Sequence, residues 1–586
     1  MNYDQLSKHQ VKGIKRRSFL KTVGAGAMAA LACDSFLLRL GSSSVVAQSS
    51  LLSKFTEQLP IPPVIDARAG GTFSLAMSPG LHSFHSSLPA TPTWGYGGAS
   101  YLGPTLQTRR GVPITLNATN SLGIHPLAAF IDPNLGGVLA SDATNPRVAV
   151  HLHGGNTAPT SDGHPEDTFT NGVTRTYHYG NDQEATTLWY HDHAMGITRL
   201  NVYAGLAGFY LLRDQFDTGE AIGPIGLPTG PYEIPLVIQD KMFNEDGTLA
   251  YSFGEFGSIW APEFFGDVAT VNGKVWPNLN VDRGLYRFRV LNGSNARVYN
   301  LRLSSGQTMF QIGAEGGLLN APVALNQLTI APGERADVLI DFSTLRVGSR
   351  VVLKNVAPTP FPDGPRARRR GGLPIKEIMQ FTVGTAAGFN GAIPAFLRAA
   401  PIQLLPKPVR VRNLTLVEIA DPETGVPLKA LVNNLSFDTT QIEMPVVDTV
   451  EQWNIINTTG DTHPIHLHLV QFQVLGRQKF NVDAFLETYY SELEDPENAG
   501  AGPWPAPSAD TFTRGSMKGP DANETGWKDT VRANPGEITR IVVPFGADAA
   551  PGVPFGQSFT GDYVFHCHIL EHEDNEMMLP YRVISA

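Results

Sequence analysis

The chain has 586 residues, which is too many for one hydrophobic core and predicts two to four domains. Hydrophobic residues make up 42% of it and charged residues 17%, so the composition excludes an intrinsically disordered protein. The net charge of −10 argues against a basic nucleic-acid-binding surface, and a basic run from Arg366 to Arg370, flanked by Pro365 and Gly371, predicts a solvated loop.

Residues 1–47 have the features of a bacterial export signal. Arg16 and Arg17 precede a modest apolar stretch from about Val23 to Leu40, which is the pattern of a twin-arginine (Tat) leader. The stretch is rich in Gly and Ala and too weakly apolar for a good membrane-spanning helix. We therefore expect Tat export to the periplasm or the cell exterior, with cleavage after Ala47 and lipid anchoring at Cys33 as the minor alternative.

Short β-rich segments follow along the rest of the chain. Abundant Gly (59) and Pro (44) favour many short strands joined by turns over a helical protein. We predict strands that include residues 148–153, 233–238, 286–291, 337–342 and 538–543. Two similar turn-and-strand phrases, Ala331 to Arg335 and Asn534 to Ile538, indicate repeated β-sandwich domains.

Polar breaks rich in Gly and Pro divide the chain into three predicted all-β domains. These domains span residues 48–214, 215–386 and 409–586, with a linker at 387–408. A stretch at about 489–525 is rich in Pro, Gly and acidic residues, so we predict a surface insertion in the third domain.

Ten of the sixteen histidines fall into four short clusters, each with a His-x-His pair. Residues two apart on a strand project to the same face, so each pair presents two imidazoles together. One pair is a weak indication of a metal site, but four pairs offer eight imidazoles, enough for more than one ion. The pairs are His151 and His153, His191 and His193, His466 and His468, and His566 and His568.

Strand parity places two further residues on the face away from these pairs. Cys567 lies between two paired histidines, so its side chain points to the opposite face of the strand. His463 lies an odd number of residues from His466 and His468, which also places it opposite to them if the strand stays regular. Cys567 and His463 can therefore meet on the side away from the eight histidines.

The residues after Cys567 complete a second kind of metal site. His572 can curl back from the turn after the strand and bring Met577 with it. Two imidazoles, a thiolate and a long axial thioether are typical of a blue-copper electron-transfer site, here His463, His572, Cys567 and Met577. Soft sulfur ligands select copper over magnesium or manganese, and the thioether favours copper over zinc, the main alternative metal. An electron at the Cys567 sulfur then has a covalent path of about 10 Å to the neighbouring histidines.

With these clusters the sequence resembles the multicopper oxidases, and within them the bacterial spore-coat laccases and bilirubin oxidases. The resemblance covers roughly residues 60–586. It is carried by TWGYGG (Thr93 to Gly98), WYHDHAMGIT (Trp189 to Thr198), HPIHLHL (His463 to Leu469), GWKDT (Gly526 to Thr530) and HCHILEHEDNEMM (His566 to Met578). The insertion is longer than we expect for spore-coat laccases, and the Tat leader also departs from a spore-coat component.

The resemblance implies three cupredoxin-like Greek-key β-sandwich domains and four copper ions. One type 1 ion would lie in the third domain, and a trinuclear cluster would lie between the first and third. His151 and His466 would bind the type 2 ion. The type 3 pair would be bound by His153, His191, His193, His468, His566 and His568. The middle domain would be a spacer and part of the substrate wall.

The family also implies two acids that help to protonate oxygen. Asp162 and Glu573 match those positions in this sequence. The alternative for both is a hydrogen-bonded carboxylate that only orients a histidine.

The implied function is that of a laccase-like oxidoreductase. Four one-electron oxidations of a phenolic, aromatic amine or tetrapyrrole substrate would be coupled to reduction of dioxygen to water. The alternative is a metallo-oxidase of Cu(I) or Mn(II) in envelope metal defence, although the 11 methionines are scattered and form no Met-rich segment. A carrier with decayed sites is a third hypothesis, opposed by the intact ligand set. The expected partners are a small reducing molecule and dioxygen, without nucleic acid or a membrane span, and a monomer is favoured.

Overall fold

The structure is a computed structural model that describes residues 52–220, 223–364, 374–491 and 500–586. The predicted export signal with Cys33, the basic run from Arg366 to Arg370 and residues 492–499 of the predicted insertion lie outside these ranges. Strands account for 41% of the structure and helices for 8%, which confirms the predicted all-β class. Among the described residues, no helix has the length and apolar character needed to cross a membrane.

The first pair of sheets is built from residues 64–213. Its strands are β1 (Val64–Asp66), β2 (Gly71–His82), β3 (Thr91–Tyr96), β4 (Thr105–Arg109), β5 (Ile114–Asn120), β6 (Val150–His153), β7 (Thr174–Tyr179), β8 (Thr186–Asp192) and β9 (Ala207–Arg213). Their order is β1-β4-β9-β8-β6 in one sheet and β3-β2-β5-β7 in the other. The short helix α1 (Thr198–Ala204) connects β8 to β9.

The second pair of sheets is built from residues 233–387. Its strands are β10 (Glu233–Lys241), β11 (Val268–Val271), β12 (Lys274–Val275), β13 (Asn278–Arg283), β14 (Leu285–Asn292), β15 (Tyr299–Leu303), β16 (Met309–Ala314), β17 (Gly317–Leu325), β18 (Leu328–Ile330), β19 (Arg335–Asp341), β20 (Arg350–Asn355) and β21 (Glu377–Ala387). Their order is β12-β11-β10-β14-β19-β16-β17 and β13-β21-β20-β15-β18.

The third pair of sheets is built from residues 410–583. Its strands are β22 (Arg410–Ala420), β23 (Pro427–Val432), β24 (Val450–Asn457), β25 (His463–Leu467), β26 (Gln473–Lys479), β27 (Thr530–Ala533), β28 (Glu537–Pro544), β29 (Gly561–Cys567) and β30 (Met578–Val583). Their order is β23-β22-β24-β28-β26 and β27-β25-β29-β30. Helix α2 (Val482–Tyr489) follows β26, and helix α3 (Leu570–Asp574) follows β29.

Burial along the strands shows where the three pairs of sheets meet. In β5, buried Ile114, Leu116 and Ala118 alternate with partly exposed polar residues, as expected for a strand with one face in a core. Every residue of β8 and β9 is buried, so these strands are covered on both faces. His191, in β8, and His193, directly after it, are therefore deeply buried.

The described part of the predicted insertion runs along the edge of the third pair of sheets. The Lys518 carbonyl accepts a hydrogen bond from the Arg477 amide of β26 at 2.8 Å, and the Asp510 carboxylate accepts one from Arg540 of β28, also at 2.8 Å. Most of its residues between 500 and 525 are partly or fully exposed, whereas Ala509 is buried beside Phe485 of α2.

Candidate metal centres

Antiparallel pairing of β25 and β29 brings Cys567 and His463 together. Ile465 lies opposite Cys567 in this pairing, and His466 lies opposite His566. The Cys567 Sγ atom is 3.5 Å from Nδ1 of His463 and 3.9 Å from Nδ1 of His572. The two Nδ1 atoms are 3.3 Å apart. Cys567, His463 and His572 are all buried and form what we name the cysteine centre.

A short helix, rather than the predicted turn, carries His572 back to the cysteine. Helix α3 begins three residues after Cys567 and includes His572. The His572 carbonyl accepts a hydrogen bond from the Met577 amide at 2.8 Å, and the Met577 carbonyl accepts one from the Cys567 amide at 2.9 Å. Met577 is fully buried in the same apolar cluster as Cys567. The loop thus closes on itself and keeps the three residues together.

The cysteine centre has the donor set of a copper site. Burial raises the pKa of the Cys567 thiol and lowers the pKa of His463, so without a cation these groups would be a neutral thiol and a neutral imidazole. A bound cation favours the thiolate, which is the form that binds metal. One thiolate with two imidazoles in an apolar, buried setting fits copper.

The eight paired histidines converge in a second group, which we name the histidine centre. In the pairing of β6 with β8, His151 lies opposite His191. The third pair of sheets supplies His466 and its cross-strand partner His566. The Nε2 atom of His566 is 3.2 Å from Nε2 of His193 and 3.3 Å from Nε2 of His468. All eight side chains are at most 1% exposed.

Hydrogen bonds on the outer nitrogens orient these rings. Five rings donate from Nδ1 to an acceptor outside the centre, which turns Nε2 inward. The pairs are His151 with the Asp162 carbonyl (2.6 Å), His191 with the Asp192 carbonyl (2.8 Å), His466 with the Asp529 carbonyl (2.8 Å), His468 with the Asp162 carboxylate (2.7 Å) and His566 with the Cys567 carbonyl (3.1 Å). His153 is reversed, because its Nε2 atom lies 3.2 Å from the Asp529 carboxylate.

The inward nitrogens fit metal ions because several lack any other partner. Within the described residues, Nε2 of His151, His191 and His466, Nδ1 of His153 and His193, and both ring nitrogens of His568 have no hydrogen-bond partner. Buried polar atoms without partners are costly, so seven in one place indicate a ligand. Burial also lowers the pKa of all eight imidazoles, to about 4 for His193 and His566, and neutral imidazole is the form that binds metal.

The two predicted acids lie at the histidine centre. One carboxylate oxygen of Glu573 is 3.4 Å from Nδ1 of His193, and the other is 3.1 Å from Nδ1 of His566. Burial raises the pKa of Glu573 to about 7 and raises that of Asp162 well above its ordinary value. Asp162 contacts His151 and His468, so its position is that of a residue that orients histidines.

Two functional residues were not predicted as site residues from the sequence. Asp529, the fourth residue of the GWKDT segment, contacts His153 and His466 and forms a two-bond ion pair with Arg335, at 2.8 and 2.6 Å. Arg335 belongs to β19 and also donates to the Thr187 carbonyl of β8 at 2.9 Å. This ion pair therefore joins all three pairs of sheets beside the histidine centre. The GWKDT segment is the sequence feature from which Asp529 could have been predicted as a site residue.

A second set of contacts that was not predicted from the sequence fixes Glu571, the residue before His572. The Glu571 carboxylate accepts hydrogen bonds from Tyr251 and from Asn295, the latter at 2.8 Å. The Glu571 carbonyl accepts one from the Trp260 indole at 2.9 Å. Tyr251, Asn295 and Trp260 all belong to the middle part of the chain, which therefore fixes the helix that carries His572.

Comparison with known proteins assigns the family. Multicopper oxidase family profiles match residues 140–217, 226–349 and 407–586. A laccase from Bacillus subtilis is 38% identical over 555 residues, covering 90% of this chain and 98% of the relative. The chain belongs to the multicopper oxidase family.

A plant relative and a solved structure support this assignment. Multicopper oxidase LPR1 from Arabidopsis thaliana is 37% identical, covering 86% of each chain. The crystal structure of the McoA multicopper oxidase from Aquifex aeolicus superimposes with a TM-score of 0.69 at 27% identity, covering 91% of this chain and 100% of that one. The predicted cupredoxin-like fold and laccase-like function are confirmed. This multicopper oxidase is a copper-binding oxidoreductase that uses oxygen as acceptor.

The Asp529–Arg335 pair generates a stability prediction. We expect Asp529→Ala to lower the free energy of unfolding of the copper-free oxidase by about 3–5 kcal/mol, because Arg335 is left buried without its counter-charge. Urea denaturation followed by circular dichroism measures the change. The matched control is Asp562→Ala, which breaks an exposed pair with Arg582 and should cost about 1 kcal/mol or less. Equal losses in the two variants would contradict the joining role of Asp529.

Proposed function

We propose that the two centres hold four copper ions. His463, Cys567 and His572 would bind one type 1 ion, with Met577 as a further, weak ligand. His151 and His466 bind the type 2 ion. The type 3 pair is bound by His153, His191, His193, His468, His566 and His568. The observation that carries the proposal is the convergence of eight buried, neutral imidazoles beside a buried cysteine with two further imidazoles.

The bound ions would supply single-electron uptake at the cysteine centre and four-electron reduction of dioxygen at the histidine centre. The chain supplies the connection, since Cys567 is covalently linked on both sides to a histidine of the other centre. It also supplies rigidity, because both centres are enclosed by strands and by hydrogen bonds to the outer ring nitrogens. Glu573, beside His193 and His566, exchanges protons with the interior of the histidine centre. Asp162 orients His151 and His468 and also exchanges protons with the interior of this centre.

The proposed reducing substrates are phenols, aromatic amines or tetrapyrroles. The similarity to the Bacillus subtilis laccase over nearly the whole chain supports a laccase-type substrate. The twin-arginine motif supports Tat export to the periplasm or cell exterior. Steady-state kinetics on the copper-loaded protein, with oxygen consumption as the readout, tests the substrate class.

Substitution of the cysteine tests the type 1 assignment. The copper-loaded parent should be deep blue because of the thiolate ligand. We expect Cys567→Ser to lose the blue colour and the oxidase activity while retaining the circular dichroism spectrum of the parent. A variant that remains blue would overturn the assignment of Cys567.

Substitution of Glu573 separates proton delivery from electron uptake. Glu573→Gln keeps the shape of the side chain but cannot deliver a proton. We expect full copper content and normal loss of blue colour when substrate is added without oxygen, but turnover in air at least about 100-fold slower. Copper analysis, anaerobic spectroscopy and oxygen consumption give the three readouts. Turnover within a few-fold of the parent would show that Glu573 only orients its two histidines.

A metallo-oxidase is the second candidate, favoured by acidic residues around the cysteine centre. The Glu418 carboxylate lies 3.7 Å from Nε2 of His463, and its nearer oxygen has no hydrogen-bond partner among the described residues. Burial and the charge of Asp461 raise the pKa of Glu418 to about 8. Burial and the charge of Asp363 raise the pKa of Asp461. Burial and the charges of Asp461 and Glu418 raise the pKa of Glu263. Carboxylates suit a hard cation such as Mn(II) better than Cu(I).

Kinetics of Glu418→Gln test this candidate. If a cation binds at these acids, it favours the ionised form of Glu418, so KM for Mn(II) should rise at least about tenfold in the variant, equivalent to about 1.4 kcal/mol, because glutamine cannot ionise. The KM for the neutral 2,6-dimethoxyphenol should stay within about twofold, because an uncharged molecule gains little from the carboxylate. Glu423→Gln, at an exposed position beyond the same strand, is the matched control. An unchanged KM for Mn(II) would exclude these acids as a cation site.

A further inference from the structure

His568 differs from the other seven paired histidines in how its ring is held. Each of the other seven rings has a hydrogen bond or an ion pair on at least one of its nitrogens. Among the described residues, neither ring nitrogen of His568 has such a partner, although the residue is only 1% exposed. The orientation of this ring therefore depends on the groups that pack against it.

Gly333, in the turn between β18 and β19, packs against the ring of His568. Its φ angle is +80°, which lies in the left-handed region that glycine adopts without strain. A Cβ atom at this position would lie 2.8 Å from Cγ and from Cδ2 of the ring and 3.1 Å from Nε2. These distances are shorter than ordinary van der Waals contact, so a residue without a side chain is required for so close an approach.

Residues 331–335 form this turn, which we name the middle turn, and hydrogen bonds fix it in place. The Gly333 amide donates to the Asn292 carbonyl at 3.0 Å, and the Gly333 carbonyl accepts from the Arg335 guanidinium, also at 3.0 Å. Arg335 is in turn paired with Asp529 of the third pair of sheets. If a side chain were added at Gly333, the imidazole ring would therefore be displaced more readily than the turn.

The third pair of sheets contains a similar turn at residues 534–538, which we name the late turn. Its Gly536 has a φ angle of +66°, and the Gly536 amide donates to the Asn457 carbonyl at 3.1 Å, in the same way as in the middle turn. A Cβ atom at Gly536 would lie 3.7 Å from Cγ2 of Val482, which is an ordinary van der Waals contact. The bonds that the two turns share maintain the turn itself, whereas the close approach to a histidine is a property of the middle turn.

We propose that Gly333 is a positioning residue for the type 3 pair, because its bare backbone sets the orientation of the His568 ring. The inference rests on the proposed function, in which His568 binds an ion of that pair. The part of the chain without histidine clusters thus completes a metal site that the other two parts build. It acts by packing, on the ring that lacks a hydrogen bond.

Gly333→Ala tests the proposal in the copper-loaded protein, because the added methyl group displaces the ring. We expect the near-ultraviolet absorption of the coupled type 3 pair to fall, and copper that is silent in electron paramagnetic resonance to become detectable. Oxygen consumption should fall about 10- to 100-fold, as is typical when a group that orients a metal ligand is changed. The blue band and its loss on anaerobic addition of 2,6-dimethoxyphenol should remain, since the change lies at the histidine centre.

Two control variants separate displacement of the ring from strain in the backbone. Gly348→Ala adds a methyl group at the same φ angle of +80°, where the described residues leave open space around it. Gly536→Ala adds one in the late turn. Both controls should be less stable than the parent but should retain the near-ultraviolet absorption and the silent copper. Type 3 signals in Gly333→Ala that match those of the controls would overturn the proposal.

Glu334→Ala gives a second test that adds no atom beside the ring. The Glu334 carboxylate accepts a hydrogen bond from the Ala331 amide at 2.7 Å and pairs with Lys528 at 3.1 Å, so its removal loosens the middle turn. We expect weaker type 3 absorption and about tenfold slower oxygen consumption. Glu537→Ala, at the corresponding position of the late turn, is the matched control and should change neither. If Gly333→Ala does not fold, unchanged type 3 signals in Glu334→Ala overturn the proposal.

His568→Ala distinguishes failure of this inference from failure of the proposed function. This variant should lose the type 3 absorption and keep the blue band. If it does so while Gly333→Ala keeps both, only the positioning role of Gly333 is overturned. If His568→Ala retains the type 3 signals, His568 does not bind the type 3 pair, which overturns that part of the proposed function and the inference with it.

Discussion

The alternation of side chains along strand β29 is the constraint on which both centres depend. His566 and His568 project to one face, and Cys567 projects to the other, because a strand has a side-chain period of two. One strand therefore contributes to two metal centres that face opposite ways and share covalent bonds. A shift of one residue in the pairing of β29 with β25 would move Cys567 to the histidine centre and both histidines to the apolar core. The buried contacts around β25 and β29 therefore have to fix the register of this pairing.

Burial gives both centres their chemistry and also makes them costly without metal. Imidazoles and a thiol that are fully enclosed stay neutral and leave ring nitrogens without partners. Bound ions recover this cost, so metal binding and folding are coupled. The same enclosure raises the pKa of Glu573 to about 7, where a carboxyl group can both release and accept protons near neutral pH.

Local sequence patterns predicted much of the fold and the grouping of the site residues. The four His-x-His pairs and the parity of Cys567 and His463 follow from period two alone, and the structure brings both groups together. The turn predicted to carry His572 is a short helix, because five residues form a hydrogen-bonded helical turn before Met577. The contacts of Asp529 with Arg335 and of Glu571 with Tyr251 join residues 194 and 320 positions apart. Such pairings depend on how whole sheets pack, and no local period encodes them.

These long-range contacts change the role expected for the middle part of the chain. It was predicted to be a spacer and a substrate wall, since it has no histidine cluster. Arg335 nevertheless holds Asp529 beside the histidine centre, and Trp260 and Tyr251 hold Glu571 beside the cysteine centre. Lys528, next to Asp529, adds ion pairs with Glu315 and Glu334 at 2.8 and 3.1 Å. Removing one partner of a buried ion pair strongly destabilises a protein. Displacement of the middle part of the chain would therefore disturb both centres at once. The part of the chain without histidine clusters therefore fixes the relative positions of those that have them.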